Sequence, residues 1–503
     1  MAGRWGGDGV MTARARTIVT ADPELDDLNS LLRLLLYTNE IDVQGLVYAS
    51  SRFHWRGDGR GTEFFLPDRE YSEPRTSWRW AADERFIHDA VEAYAEVYPN
   101  LRVHDERYPE PDAVRGVIRF GNVDFEGDMS SDTPGSTLIA DTLLDDDPRP
   151  VHLQLWAGPA TVARALRSIE ERHSGTDAWP RVRAEVSRKA IITKFASQDA
   201  TYDDYIRPVW PDIRVTEVAT MAWGYLIRET ILDADRPLLS AEWMRENVTS
   251  VGPIGALYRV WGDGRQMVPG DPTDYFHLSG RTADELRADG YQVWMPPQPA
   301  GEWISEGDTT NMLNLIVPGL RAHEHPSFGG WGGRAARTDV GRDTWATADA
   351  RLFGATAEEA GDESSVTRWF ADAQADFAAR LRWSVTPEFS GANHHPRLDM
   401  ADSLDRRVNP GETVTLAATA SSDSSTDAVD LRWWIVDDAG TCPGAALEVP
   451  PTAVDAGRND GVVTVSIPAD AESGATVHVI AEARDRHPSH PLASWRRVIL
   501  TVE

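Results

Sequence analysis

One cysteine, Cys442, in 503 residues excludes any intramolecular disulfide, so the fold must rest on its buried core. Cysteine usage therefore gives no sign of the redox compartment. Basic residues are also short: Lys and Arg total 50 against 80 Asp and Glu, a formal net charge of -30. That surface repels phosphate backbones, and no local basic patch offsets it, so nucleic acid is excluded as a partner. No apolar run is long enough to span a bilayer, which excludes a membrane role. The stretch Met1 to Arg16 is rich in Gly and Arg and lacks the apolar segment of a secretory signal. The expectation is a cytoplasmic chain, with secretion left open. Aromatics are plentiful, with 19 Trp, which suits sugar-stacking platforms and a large core alike.

The rest of the chain is organised around Thr17 to Ser30. Thr17-Ile18-Val19-Thr20 reads as a β-branched strand, Pro23 as a turn, and Leu25, Leu28, Leu31, Leu32, Leu35 and Leu36 as the apolar stripe of a helix. Asp22, Asp26 and Asp27 sit where the strand hands over to the helix. In an open α/β sheet this is the carboxyl end of a strand, where ligands bind. Three like charges so close repel unless a hard divalent cation neutralises them, and oxygen-only ligands select calcium or magnesium over zinc. An acidic first helical turn needs no ion, and the cluster alone does not separate the two readings.

Asp22-Pro23-x-x-Asp26-Asp27 after such a strand resembles the N-terminal signature of the nucleoside hydrolases, calcium-dependent enzymes that cleave N-ribosidic bonds. The closer resemblance is to a nucleoside-hydrolase-like family described as cellulose-binding proteins, in which a β-sandwich follows this domain. Thr20 to Leu36, Leu153 to Thr161 (LQLWAGPAT) and Ser305 to Thr309 (SEGDT) carry it. The implied fold is an open, mostly parallel sheet flanked by helices, followed by an immunoglobulin-like sandwich. The implied calcium ligands are Asp22, Asp27, Asp308 and the backbone carbonyl of Ala157. The resemblance makes Asp22 the base that activates water and places Asp26 on a sugar hydroxyl. Ser50 and Ser51 stand where the family has a sugar-contacting asparagine, which leaves Ser51 as the substrate contact. Gly307 stands where nucleoside hydrolases usually carry the histidine that helps the base leave. Glu306 is then the remaining candidate for a general acid or substrate ligand. Relatives of the first domain are often dimers or tetramers, which implies a homo-oligomer.

Taken in order, Ile41 to Ala49 reads as a second strand, and Ser50 to Arg79 as a polar loop able to wall a site. Helical periodicity covers Ala81 to Tyr98, with Pro99-Asn100 as its stop. Asp128 and Asp132 are loop acids that a metal site could use, although solvated loop acids are commoner. Val151 to Trp156 and Ala190 to Phe195 are strands. Past the latter, Gln198 and Asp199 are placed to hydrogen-bond sugar hydroxyls, Asp199 equally to cap a helix. Trp223 reads as a core residue, and 252–303 as an irregular segment rich in Gly, Pro, Trp and Tyr. His323 and His325 are too few for zinc. After a helix over Arg368 to Trp383, a linker spans 386–408, and alternating strands from 409 to 503 form the sandwich. The boundaries expected are a tail over 1–15, a first domain over 16–385, and two domains that fold independently. The function these residues imply is calcium-dependent hydrolysis of a glycosidic bond in a small-molecule or oligosaccharide glycoside. The alternative is a carbohydrate-binding protein that keeps the cation without turnover.

Overall fold

The computed structural model describes residues 14–316, 318–348, 365–422, 428–450, 454–455, 458–488 and 490–503. Eight strands form the first sheet: β1 (Ala15–Ala21), β2 (Ile41–Tyr48), β3 (Ile118–Phe120), β4 (Val151–Leu155), β5 (Ala190–Lys194), β6 (Arg214–Glu217), β7 (Ala335–Arg337) and β8 (Thr344–Thr347). Their order is β3-β2-β1-β4-β5-β6-β8-β7, parallel throughout except for the β7/β8 pair. The chain leaves β1 toward β2 on one side and later returns to β4 on the other. The switch point of this sheet therefore lies between the carboxyl ends of β1 and β4, where such sheets bind ligands.

Both faces of the sheet are covered, so β1 is apolar in both directions. Ile18 faces the helices Pro134–Leu144 and Ala160–His173, while Val19 and Ala21 face the helix Leu25–Leu35. The six leucines expected as a stripe on that helix and just past its end are all buried. At about 1.5–3 kcal/mol per buried leucine, this stripe fixes where the helix N-terminus sits.

Two details differ from the sequence reading. The second long helix runs Phe86–His104, straight through Pro99. Proline forfeits one backbone hydrogen bond, but Leu101 and His104 beyond it are buried, and that packing carries the helix on. The stretch read as a linker contains β9 (Arg397–Met400) and β10 (Asp405–Val408), both strands of the second unit. Edge strands of four residues carry too little periodicity to be seen in sequence.

The second unit is all-β. Here β11 (Thr413–Ser421), β12 (Val429–Ile435), β13 (Ala446–Glu448), β14 (Val454–Asp455), β15 (Arg458–Ser466), β16 (Thr476–Asp485) and β17 (Ala493–Val502) join β9 and β10. One sheet has the order β10-β17-β16-β12, the other β13-β15-β11-β9 with β14 on β15. Trp433 is buried between the sheets and Trp434 is half-buried on the other face, as a period of two requires.

The two units share one apolar core. Val436, Ile480 and Trp495 pack in the same cluster as Trp331, Phe370 and the helix Phe370–Val385. The Trp495 ring lies 5.6 Å from Trp369 and 6.1 Å from Trp331. Trp495 N–H donates to Pro318 O at 2.8 Å, and Arg497 N–H donates to Gly319 O at 3.1 Å.

Candidate metal centre

The carboxyl ends of β1 and β4 are drawn together by Thr20, whose carbonyl accepts from Trp156 N–H at 2.9 Å and Ala157 N–H at 3.0 Å. This places Ala157 beside the start of the Asp22 turn. Asp22, Asp26, Asp27 and Asp308 are all buried, between 1 and 8 % exposed, and Glu24 is half-buried among them. Asp308 comes from nearly three hundred residues away, at the N-terminus of the helix Thr309–Leu313, where its carboxyl meets the other acids.

These carboxylates have few donors. Asp27 accepts Asp22 N–H at 3.0 Å, and Asp26 accepts a long bond from Ser305 Oγ at 3.3 Å. Both Asp22 oxygens and Asp26 Oδ1 are buried without any hydrogen bond. The electrostatic consequence is uniform. Burial, followed by Asp308 and the other acids, pushes Asp27 well above the usual carboxylate range, and burial followed by Asp26 does the same to Asp308. Burial and the neighbouring acids push Asp26 up to about 6 and Glu24 up to about 8. Without a cation, this cluster holds protons. Glu24, Asp26 and Asp27 offer oxygens within 4.8 Å of one another, and so do Asp22 and Glu24 with His54. A buried all-oxygen set with orphaned lone pairs fits a hard divalent cation.

Above the acids opens a cavity of about 700 Å³, lined by Glu24, Asp26, Asp27 and Asp308 at one end and by aromatics at the other. Trp294 is half exposed, with its ring 4.6 Å from Tyr225, and Tyr225 stacks on Phe276 at 5.4 Å. Gln198 lines this cavity while donating to Trp156 O at 2.7 Å. Ala196, on the same wall, has φ of +51°, a conformation costing a non-glycine residue about 1–2 kcal/mol, and its N–H donates to Glu217.

Other expected site residues are engaged elsewhere. Glu306 is fully buried; its oxygens accept from Arg33 at 2.5 and 2.9 Å, Tyr258 at 2.5 Å and Thr309 at 2.9 Å. With both oxygens bound to Arg33, Tyr258 and Thr309, it is a structural ion pair and not an acid poised over substrate. Asp199 accepts from Ala160 N–H at 3.0 Å and from Thr201 N–H at 2.7 Å, which spends its carboxylate on capping. Ser51 Oγ accepts from the backbone of Phe53 and His54, so it shapes the loop that carries His54. Asp132 is bonded to Arg164 and Ser168, and Trp223 lies in the core against Phe370. Gly307 has a local reason: a Cβ there would collide with the Asp26 carboxylate. His54, Glu24 and the Tyr225–Phe276–Trp294 wall were not singled out from sequence. Glu24 lies inside the motif itself, and the Trp-rich composition of 252–303 was the one signal for part of the wall.

A doubly covered parallel sheet with acids at its switch point, followed by a β-sandwich, defines a nucleoside-hydrolase-like protein with an all-β C-terminal unit. The chain belongs to the family described as cellulose-binding Sde182, nucleoside hydrolase-like domain, whose model matches residues 16–335. The C-terminal domain of cellulose-binding protein Sde0182 matches residues 413–502. Among solved structures, a nucleoside hydrolase-related hypothetical protein from Saccharophagus degradans, associated with carbohydrate metabolism, is 21% identical. It aligns over 98% of this chain and 100% of its own with a TM-score of 0.69, a likeness of fold. The secreted serine protease VesC from Vibrio cholerae aligns over only 21% of this chain and 23% of its own, at 13% identity and a TM-score of 0.16, and carries no argument. No curated protein matches the chain.

Proposed function

We propose that this chain is a calcium-dependent hydrolase acting on the glycosidic bond of a carbohydrate or glycoside. The observation that carries this reading is the set of buried acids, short of hydrogen-bond donors, at the floor of an open, aromatic-walled cavity. Asp22, Asp27 and Asp308 would hold the cation, with the Ala157 carbonyl from the neighbouring strand end. When bound, it supplies charge that anchors sugar hydroxyls and lowers the pKa of water. Asp22, with two free oxygens, is the group able to take a proton from an attacking water. Asp26 reaches into the cavity, where its carboxylate can accept from a sugar hydroxyl. The Tyr225 and Trp294 rings offer flat apolar faces for a pyranose or an aglycone.

One observation favours the second reading, a carbohydrate-binding protein without turnover. Glu306 is tied into its ion pair with Arg33, and Gly307 offers no imidazole, so a poor leaving group finds no general acid at either position. General acid help is worth about 10²–10⁴-fold in rate. A nitrophenyl furanoside or pyranoside, which leaves without protonation, should therefore be cleaved in calcium far faster than inosine or uridine. Brisk nucleoside cleavage would sink this substrate assignment. No turnover of either class, with calcium-dependent cello-oligosaccharide binding by calorimetry, would establish the binding protein instead.

A further inference from the structure

The oxygen-only cluster has a nitrogen neighbour. His54 is 1 % exposed, and its Nδ1 is buried without a hydrogen bond. That atom stands 3.1 Å from Asp22 Oδ1 and 3.8 Å from Glu24 Oε2. Both separations are below the roughly 4.2 Å spanned by opposite ligands of an ion bound at about 2.1 Å. The loop is built to hold the ring there: Ser51 N–H donates to His54 O at 2.8 Å, and Ser51 Oγ accepts from His54 N–H at 3.2 Å. Asp22 has two orphaned oxygens, enough to face two neighbouring positions.

Charge points the same way. Asp22, Glu24, Asp26, Asp27 and Asp308 are five clustered carboxylates, and when all are ionised one divalent cation leaves three negative charges over. Arg79, the guanidinium whose charge acts on Glu24, is bound to Asp271 at 2.7 Å and Glu70 at 3.2 Å. A second divalent cation leaves only one charge, within reach of the long-range field of Arg79.

We infer that Asp22, Glu24 and His54 form a second cation position beside the calcium site, and that its imidazole ligand selects a borderline divalent ion such as Co²⁺ or Zn²⁺ over calcium. This rests on the proposed reading that the carboxylate cluster holds a cation. Asp22 bridges the two positions, so occupancy of the second would orient the carboxylate assigned as base.

The test uses the full-length protein stripped with chelator. Calorimetry should show about one equivalent of calcium, and the calcium-saturated protein should then take up one further equivalent of Co²⁺. With Mn²⁺ in place of Co²⁺, pulsed electron paramagnetic resonance should detect a directly bound nitrogen. His54→Gln should weaken the second equivalent by about 100-fold or more and leave calcium affinity within about twofold. Should that variant fail to fold, the nitrogen signal in the unaltered protein still decides. Co²⁺ that merely displaces calcium, or a second equivalent without nitrogen coupling, overturns the inference and leaves the calcium reading standing. Protein that binds no cation at all overturns both.

Discussion

Two groups of buried charge lie at opposite ends of the helix Leu25–Leu35, and they are built on opposite principles. Past its C-terminal half, Arg33 pairs with Glu306, and Asp376 accepts from Tyr37, Arg380 and His395. Every carboxylate there has a cation and further donors. At the N-terminal end, Asp22 Oδ2 and Asp26 Oδ1 have no hydrogen bond, and Asp22 Oδ1 has only the unaligned His54 Nδ1 at 3.1 Å. A buried carboxylate with its donors supplied by the chain is part of the scaffold. One left without donors in a closed fold is kept for something the chain does not provide, because the cost of burying it is otherwise unmet. The contrast sorts the expected site residues better than their chemistry does: Glu306 and Asp308 are two positions apart, yet Glu306 is paired with Arg33 while Asp308 lies among the other acids.

The largest effect should come from breaking the compensated side. Arg33→Met leaves Glu306 fully buried without its cation, a loss of about 3–5 kcal/mol. A markedly lower urea midpoint is expected, with most of it recovered when Glu306→Met is added. Removing the second unit should be comparably severe. A chain ending at Val385 exposes Trp331, Phe370 and the face that Trp495 covers, and deprives Asp376 of His395. Such a chain should be aggregated or molten by near-ultraviolet circular dichroism, contrary to the independence expected from sequence; a cooperative thermal transition would refute the shared core.

On the uncompensated side the sign reverses. Asp27→Asn keeps an oxygen to accept Asp22 N–H and removes an acid that the ion-free fold can bury only by taking up a proton. In calcium-free protein it should raise stability by about 1–3 kcal/mol while abolishing calcium uptake, read by thermal shift and calorimetry. Lower ion-free stability with retained calcium affinity would erase the contrast.

The two regions should also respond oppositely to pH. Asp26 and Glu24 are raised from 3.8 and 4.5 to about 6 and about 8 in the fold. The ion-free native state thus holds protons that the unfolded chain has lost. Their contribution is full below about pH 4 and is lost as pH rises toward 8. Asp376 is held below its usual range against burial by Arg380 and His395, so its contribution is present above about pH 4 and lost on acidification. Stability of the chelated protein should fall between pH 5 and 8, and saturating calcium should flatten that slope. Equal slopes with and without calcium would show that the cation does not meet these acids.

What could be seen in sequence were the features carried by neighbouring residues. β1, its turn and the leucine helix are written in consecutive positions, so the sheet and three of the acids follow directly. Asp308 came through resemblance, since nothing local ties it to Asp22. Glu306 shows the limit: its partner Arg33 sits 273 positions away on a helix read only for leucines, and no spacing reveals a pair made by the fold. His54 was hidden in a loop whose only signal was composition. Independent domains looked plausible because each half has its own periodicity, and a Trp such as Trp495 reads the same in a private core as in a shared one.

The smallest effect belongs to Asp199, which the sequence left between a sugar contact and a helix cap and the structure places on two backbone turns. Its oxygens accept from Ala160 N–H, Thr201 N–H and Thr201 Oγ1, and Gly158 packs so closely that a Cβ there would meet the carboxylate at 2.5 Å. Burial raises it to about 6 with those bonds opposing, so a neutral side chain of the same shape is tolerated. Asparagine keeps one acceptor and caps helices about as well as aspartate. Asp199→Asn should therefore cost no more than about 1 kcal/mol and leave cello-oligosaccharide affinity and calcium affinity unchanged. Asp26→Asn, by contrast, should weaken sugar binding at little cost in stability. If Asp199→Asn instead lowers sugar affinity tenfold while the thermal midpoint stays fixed, capping is not what its carboxylate is for, and the rule that donor-supplied acids belong to the scaffold fails at this position.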